Sequence, residues 1–403
     1  MPDASHHHRR VATTMSHPVV IVGASMGGLR MAEALRRFGY TGAITVIGDE
    51  PYAPYNRPPL SKEVLAETVS HEAVAFEQRD STADVNWMFG TRVQATDLEH
   101  AVVTDVNGDV HPYSALVVAT GLRSKRLTVP NGELRGRHAV RTLDDAIALR
   151  RELVPGARVV IVGAGFIGCE VAATARKLGC DVTIVAPGTH PMQRPLGTEL
   201  AAEMQRRHEA QGVTFRMKTA VTDLVGTLAV DGVALDDGTT IPCDVLVEAI
   251  GSHDNTEWLE GNDLDLATGV RTTNDLRAVK STGEVWDNVF VIGDLARFPN
   301  PIFDNECRRI EHWNIPTETA KRAAQVFTGN AQGDFRPIPS FWTDQYDNHL
   351  LAYGVLSLAD EVKLIDGEIS GDCVFGYYRD GDMVGVCGIG MRSVVQRYRA
   401  NFV

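Results

Sequence analysis

Two glycine-rich turns, Gly23-Ala24-Ser25-Met26-Gly27-Gly28 and Gly163-Ala164-Gly165-Phe166-Ile167-Gly168, constrain this chain more than any other feature. Each follows a short apolar run, Pro18–Val22 or Arg158–Val162, that reads as a buried parallel strand, and each opens an alanine-rich helix. A strand that turns tightly on glycine into a helix aims unpaired backbone N–H groups at one point, which makes a seat for a pyrophosphate. The turns stand 140 residues apart, about one domain, and the pattern behind them repeats. In each copy the helix ends at a capping glycine (Gly39, Gly179), then come a second strand (Ala43–Ile47, Asp181–Val185) and a later apolar strand (Ala115–Ala119, Asp244–Ile250).

The first turn keeps Gly23 for the bend and Gly28 for close helix–strand packing, while Ser25 replaces the middle glycine with the smallest tolerable polar side chain, whose hydroxyl offers a phosphate contact. Glu50 falls 22 residues beyond Gly28, near the spacing of a carboxylate that binds a ribose, and Asp49 competes for that role. The second turn keeps Gly163, Gly165 and Gly168, but Ala186 follows its second strand where an acid would stand. An acid there favours the free 2′-hydroxyl of NAD and repels the 2′-phosphate of NADP. Its loss lifts the repulsion, yet no arginine follows at once, and His190 and Arg194 are the nearest basic residues. The choice between NADH and NADPH stays open on these residues. Two seats in one chain predict a flavoenzyme that passes reducing equivalents between two dinucleotides.

The rest of the 403 residues fits two or three domains. A strand at Val289–Ile292 returns to the first unit, and a helix over Pro316–Phe327 ends before Gly329. Short β-like runs at Phe335–Trp342, Leu350–Val355, Val362–Ile365, Val374–Arg379 and Met383–Ile389 predict a small antiparallel sheet with a terminal helix. The predicted division is 17–124 with 250–330, then 125–249, then 331–403, with 1–16 a tail or a mis-assigned start; Met15 fits as the initiator equally well. The tail's His6-His7-His8 lacks fixed geometry for a metal site, and the segment has no apolar core of a secretory signal. A formal charge of −13 argues against nucleic acid, and no apolar run approaches the length of a membrane span. Six cysteines, none spaced as Cys-x-x-Cys, read as reduced thiols of a cytoplasmic protein, with no metal or iron–sulfur site.

With these turns, five further segments occur in order: Pro54-Tyr55-Asn56-Arg57-Pro58-Pro59-Leu60-Ser61-Lys62, Val140-Arg141-Thr142-Leu143-Asp144-Asp145-Ala146, Val291-Ile292-Gly293-Asp294, Glu311-His312-Trp313 and Phe341-Trp342-Thr343-Asp344-Gln345. Together they resemble the pyridine-nucleotide-dependent flavoproteins, and within these the FAD-dependent ferredoxin reductases of the putidaredoxin and rhodocoxin reductase type, over roughly residues 18–400. The resemblance implies an α/β fold of two Rossmann-like dinucleotide-binding domains plus a small α+β C-terminal domain, as in glutathione reductase. It implies FAD at Arg57, Lys62 and Arg141, with Asp294 accepting from the ribityl chain and Trp313 beside the isoalloxazine ring. Glu170 would contact the nicotinamide carboxamide and approach Lys62 near flavin N5. Met26, Gly27, Val93, Ala119, Thr120, Gly121, Phe166, Ile167 and Gly251 would complete the two cofactor sites. Trp342 reads equally as a core aromatic. Pro316 and Ala320 depart from the family's alanine and glycine, and Ala320 is expected to crowd the flavin side.

Cysteine placement separates the branches of this superfamily. Disulfide reductases stack a redox cysteine pair on the flavin, but here no cysteine precedes Cys169. Thiol relay chemistry needs a thiolate within reach. Without one, reduced FAD is expected to hand electrons singly to a [2Fe–2S] ferredoxin that serves a cytochrome P450 or Rieske oxygenase, after taking a hydride from NADH or NADPH. The protein itself would be a monomer or homodimer. Arg308, Arg309, Lys321 and Arg322 flank Trp313 and are candidates for a basic docking patch, or simply a solvated charge run. A rival reading is an NADH-binding signalling flavoprotein of the apoptosis-inducing-factor type with little turnover; a second is a flavin enzyme acting directly on a small organic substrate.

Overall fold

The computed structural model describes residues 17–67 and 69–402; the three tail histidines and the alternative initiator Met15 lie outside them. Val19–Val22 is buried at every position and pairs in parallel with Ile44–Ile47 on one side and Ala115–Val118 on the other. Apolar side chains on both faces of such a strand require helices above and below, and Met26–Arg37 supplies one of them. Asn86–Met88 extends this sheet at one edge. Val285–Val291 adds to Ala115–Val118 in parallel, so the strand expected near Val289 does return to the first sheet, and Arg277–Val279 closes that edge.

The second sheet repeats the first. Arg158–Val162 lies between Asp181–Ala186 and Val245–Glu248, all parallel, with Thr214–Met217 and Arg137–His138 outside them. The correspondence extends to single hydrogen bonds. Gly23 N–H reaches Ile47 O at 2.8 Å, and Gly163 N–H reaches Val185 O at 2.8 Å; Ala119 N–H and Ala249 N–H bond to Val22 O and Val162 O, also at 2.8 Å.

The third sheet is antiparallel, in the order Ser340–Gln345, Asn348–Gly354, Asp382–Ile389, Cys373–Arg379 and Glu361–Gly367, with the helix Arg392–Tyr398 against it. Its first strand begins at Ser340 and not at Phe335, because Pro337 and Pro339 bring no N–H to a ladder. Where the three sheets meet, the Phe166 ring rests on Phe341 at 5.0 Å, and Thr174 Oγ1 donates to Ser61 O at 2.8 Å. The long helix Ile315–Phe327 packs beside Met26–Arg37 and carries Pro316 in its first turn. Among the described residues no helix is long and apolar enough to cross a membrane.

Candidate functional site

The first glycine turn is built to hold something close to its backbone. Gly23 sits at φ +120°, and a Cβ there would lie 2.1 Å from Ala119 O; one on Gly28 would lie 2.1 Å from Gly23 O. No side chain fits at either position, whereas Gly27 would make only ordinary contacts, the nearest with Ile292 at 3.7 Å. Met26 begins the helix, and Ser25 at its N-cap makes no side-chain cap, its hydroxyl instead accepting from Arg57 Nε at 3.3 Å.

Around the turn, loop residues converge on two guanidinium groups. Glu50, just past its strand, pairs with Arg57 and accepts from the Tyr55 hydroxyl at 2.5 Å, while Asp49 beside it is exposed. Tyr55 Oη in turn accepts from Leu143 N–H at 3.0 Å, which ties this loop to the helix Leu143–Glu152. Arg57 Nη1 donates to Arg141 O at 2.6 Å, and Arg141 donates to Leu122 O at 3.0 Å and Asp294 at 3.5 Å. Burial opposes the charge on Arg57, but Glu50, Tyr55 and Asp294 more than offset it and hold its pKa above the usual value. Arg141 goes the other way: burial and the neighbouring Arg57 charge push it down, and Asp294 does not make up the difference. An under-compensated, half-buried cation linked through Arg57 to the glycine turn suits a diphosphate. Two buried polar atoms in residues next in sequence to Arg57 and Glu311, Asn56 Oδ1 and His312 Nδ1, also lack protein partners among the described residues. The residues present therefore fit FAD.

The remaining first-unit candidates lie around this cluster. Gly121 is at φ +60°, where a Cβ would face Arg141 at 3.6 Å, and Thr120 Oγ1 donates to Asn255 O at 2.8 Å. Val93 is buried two residues after Thr91, whose N–H bonds Gly48 O at 2.8 Å, so it stands at the Glu50 end of the turn. The turn that carries Asp294 is held by a residue the sequence did not point to: Gly293 N–H donates to Thr319 Oγ1 at 2.9 Å. Ala320 is fully buried in the helix core; Pro316, not Ala320, is what faces Gly293.

The second turn repeats the cradle. Gly163 is at φ +107° with a Cβ position 2.2 Å from Ala249 O, and Gly168 has one 2.2 Å from Gly163 O. Gly165 differs, since a Cβ there meets no protein atom within 4 Å. That open side suits the approach of a second pyrophosphate. Phe166 and Ile167 open the helix, Ile167 being 44% exposed, and Gly251 at φ +99° follows Ala249-Ile250 as Gly121 follows Ala119-Thr120.

On the helix opened by the second turn stands Glu170, almost fully buried. Its carboxylate accepts from Ser61 Oγ at 2.5 Å, Lys62 Nζ at 2.7 Å and Thr343 Oγ1 at 2.6 Å. Thr343 accepts from Gln345 Nε2 at 3.0 Å, and Gln345 Oε1 faces His208 Nε2 at 2.7 Å. Three protein donors on one carboxylate hold it in one orientation and hold Lys62 beside it. Residues 61 and 343 lie inside motifs read from the sequence, but nothing in their identity announces this pairing across 109 and 173 residues.

Comparison with known proteins gives the family. Residues 17–320 match the pyridine nucleotide-disulphide oxidoreductase family. The chain belongs to that family. Among its relatives, the anthranilate 1,2-dioxygenase system ferredoxin–NAD(+) reductase component of Burkholderia cepacia is 34% identical, covering 93% of this chain and 91% of its own. Rhodocoxin reductase of Rhodococcus erythropolis is 33% identical over 85% and 79%. The crystal structure of a covalent putidaredoxin reductase–putidaredoxin complex aligns with a TM-score of 0.90 at 28% identity, covering 96% and 93%.

In this oxidoreductase the thiols stand apart from the first turn. Cys169, Cys180, Cys243, Cys373 and Cys387 are buried and Cys307 is half-buried, and all six are free. Burial pushes the Cys243 thiol up to about 12 and raises those of Cys169 and Cys387 further, so these remain protonated and inert. The surface carries a pair of exposed indoles. Trp313 and Trp342 are 41% and 38% exposed, with ring centres 5.2 Å apart in an edge-to-face pair, so Trp342 is not a core aromatic. The expected basic patch beside them is largely spent internally. Arg308 pairs with Asp304, Arg309 with Asp254 and Glu311, and the buried Arg322 with Asp275, which leaves Lys321 exposed.

Proposed function

We propose that this oxidoreductase is an NAD(P)H-dependent ferredoxin reductase that uses FAD. It moves electrons from a nicotinamide donor, one at a time, to a [2Fe–2S] ferredoxin serving a cytochrome P450 or Rieske oxygenase. The carrying observation is the Lys62–Glu170 pair, which joins a loop of the first dinucleotide unit to the helix opened by the second glycine turn, in a chain whose six cysteines are all free and five of them buried.

Bound FAD supplies the conversion between a two-electron donor and a one-electron acceptor. The chain binds and orients around it. Backbone N–H groups from Met26 to Gly28 would face its diphosphate, and Arg57 and Arg141 would neutralise it. Asp294, on the short helix Gly293–Leu295, would accept from its sugar-alcohol chain. Glu170 holds the Lys62 ammonium at a fixed place between the two seats, and alignment of donor and acceptor is the main catalytic contribution of the protein. Trp313 and Trp342 form the apolar rim on which an electron carrier docks. In this reading residues 17–124 with 250–330 hold FAD, 125–249 hold the nicotinamide nucleotide and 331–403 complete the rim, in a cytoplasmic monomer or homodimer.

The test is cytochrome c reduction by NADH or NADPH with and without added [2Fe–2S] ferredoxin. Strong stimulation by at least one ferredoxin is expected; a yellow protein that no ferredoxin stimulates would contradict the proposal.

A further inference from the structure

The duplicated dinucleotide unit permits a comparison of its two ribose ends within one molecule. In the first unit Gly90 N–H bonds Glu50 O at 2.9 Å and Thr91 N–H bonds Gly48 O at 2.8 Å. In the second, Lys218 N–H bonds Gly188 O at 2.9 Å and Thr219 N–H bonds Ala186 O at 3.2 Å. Gly90 and Lys218 are both left-handed, at φ +65° and +57°. These bonds align Gly48-Asp49-Glu50 with Ala186-Pro187-Gly188, and Gly90 with Lys218. At the place where the first unit has two carboxylates and a glycine, the second has no carboxylate and an ammonium group. The formal charge there rises from minus two to plus one.

Lysine is an unusual residue in this conformation, which favours glycine, and the sister unit does use glycine there. The neighbouring acids do not cancel its charge directly. Asp236 accepts from Ala220 N–H at 3.1 Å, and Asp237 is paired with Arg216 at 2.8 Å. The missing acid is not a matter of room either, because a Cβ on Gly188 would meet only His190 O, at 3.8 Å. Lys218 itself is exposed.

A carboxylate at this strand end selects a free ribose hydroxyl, and a cation selects a phosphate. We infer that the ribose end of the second seat is a 2′-phosphate subsite with Lys218 as its cation, so that the preferred donor carries the 2′-phosphate of NADPH. This rests on reading the second turn as a nicotinamide dinucleotide seat. The sequence alone placed the missing acid at Ala186 and looked ahead to His190 and Arg194; the decisive residue instead comes from the adjoining strand.

Calorimetric titration of the FAD-loaded protein with 2′,5′-ADP and 5′-ADP tests this without turnover. The 2′-phosphorylated nucleotide is expected to bind at least about tenfold tighter. Lys218→Gly, which restores the sister unit's residue and relieves the backbone, is expected to erase the difference and leave 5′-ADP affinity unchanged. Gly188→Glu is expected to reverse the preference. Equal or tighter binding of 5′-ADP to the native protein, or a preference that survives Lys218→Gly, would overturn the subsite while leaving the dinucleotide seat intact. If neither nucleotide binds a yellow, folded protein, the seat itself falls and the subsite with it.

Discussion

Glu170 shows how much of this site depends on single hydrogen bonds. Ser61, Lys62 and Thr343 all donate to its buried carboxylate, so Glu170→Gln turns an acceptor into a group that presents N–H to donors. Breaking a buried pair from one side costs about 3–5 kcal/mol. The variant is expected to be less stable by that order and to reduce its flavin with NAD(P)H about 10–100-fold more slowly, by stopped-flow absorbance. A full native rate would remove Lys62 from the machinery. His312 makes a second prediction. Burial holds its imidazole at about 4, below its unperturbed 6.5, so the folded protein keeps it neutral while the unfolded chain protonates it. The stability it permits is complete above pH 6.5 and is lost as pH falls from there to about 4, by an amount of order 3 kcal/mol. Thermal unfolding between those limits is expected to show a shallower pH slope for His312→Phe than for the native chain; an unchanged slope would place the titration elsewhere.

Each glycine turn assigns separate duties to its glycines. Gly168→Ala drives a Cβ to 2.2 Å from Gly163 O, and Gly165→Ala meets no protein atom. Gly168→Ala is therefore expected to lower the melting temperature by several degrees or abolish folding, as forced core clashes do. Gly165→Ala is expected to fold normally, or slightly better through a less flexible unfolded chain, while NAD(P)H affinity falls about tenfold or more. Equal loss of stability in both would contradict the assignment. This is the part of the molecule most legible in the sequence. Backbone sterics fix the turns locally, and four-residue apolar runs announce buried strands, so both dinucleotide units and the returning strand Val285–Val291 could be read directly, to within a few residues at their ends. The side-chain clusters were less legible because they are assembled from afar. Thr319 holds the Gly293–Leu295 turn from another helix, and Thr343 reaches Glu170 from the third sheet. Arg308, Arg309 and Arg322 read as a patch in sequence, but acids that fold onto them neutralise it.

Across the whole molecule, two mainly parallel sheets accompany a third, antiparallel one, and two indoles, Trp313 and Trp342, lie exposed side by side. Trp342 sits on the first strand of the third sheet, and Trp313 precedes the helix Ile315–Phe327. Because exposed tryptophans carry a disproportionate share of binding energy, Trp342→Ala is expected to lower ferredoxin-dependent cytochrome c reduction about tenfold while leaving flavin reduction by NAD(P)H near native. Equal loss of both would mean that the indole acts on the flavin site and not on docking. On the proposed function, bound flavin is the group that stores electrons and the six free thiols do not. Anaerobic reductive titration, counted in electrons per bound flavin, tests it most directly. Two electrons per flavin are predicted; four, as a flavin with a redox-active disulfide takes up, would contradict the account.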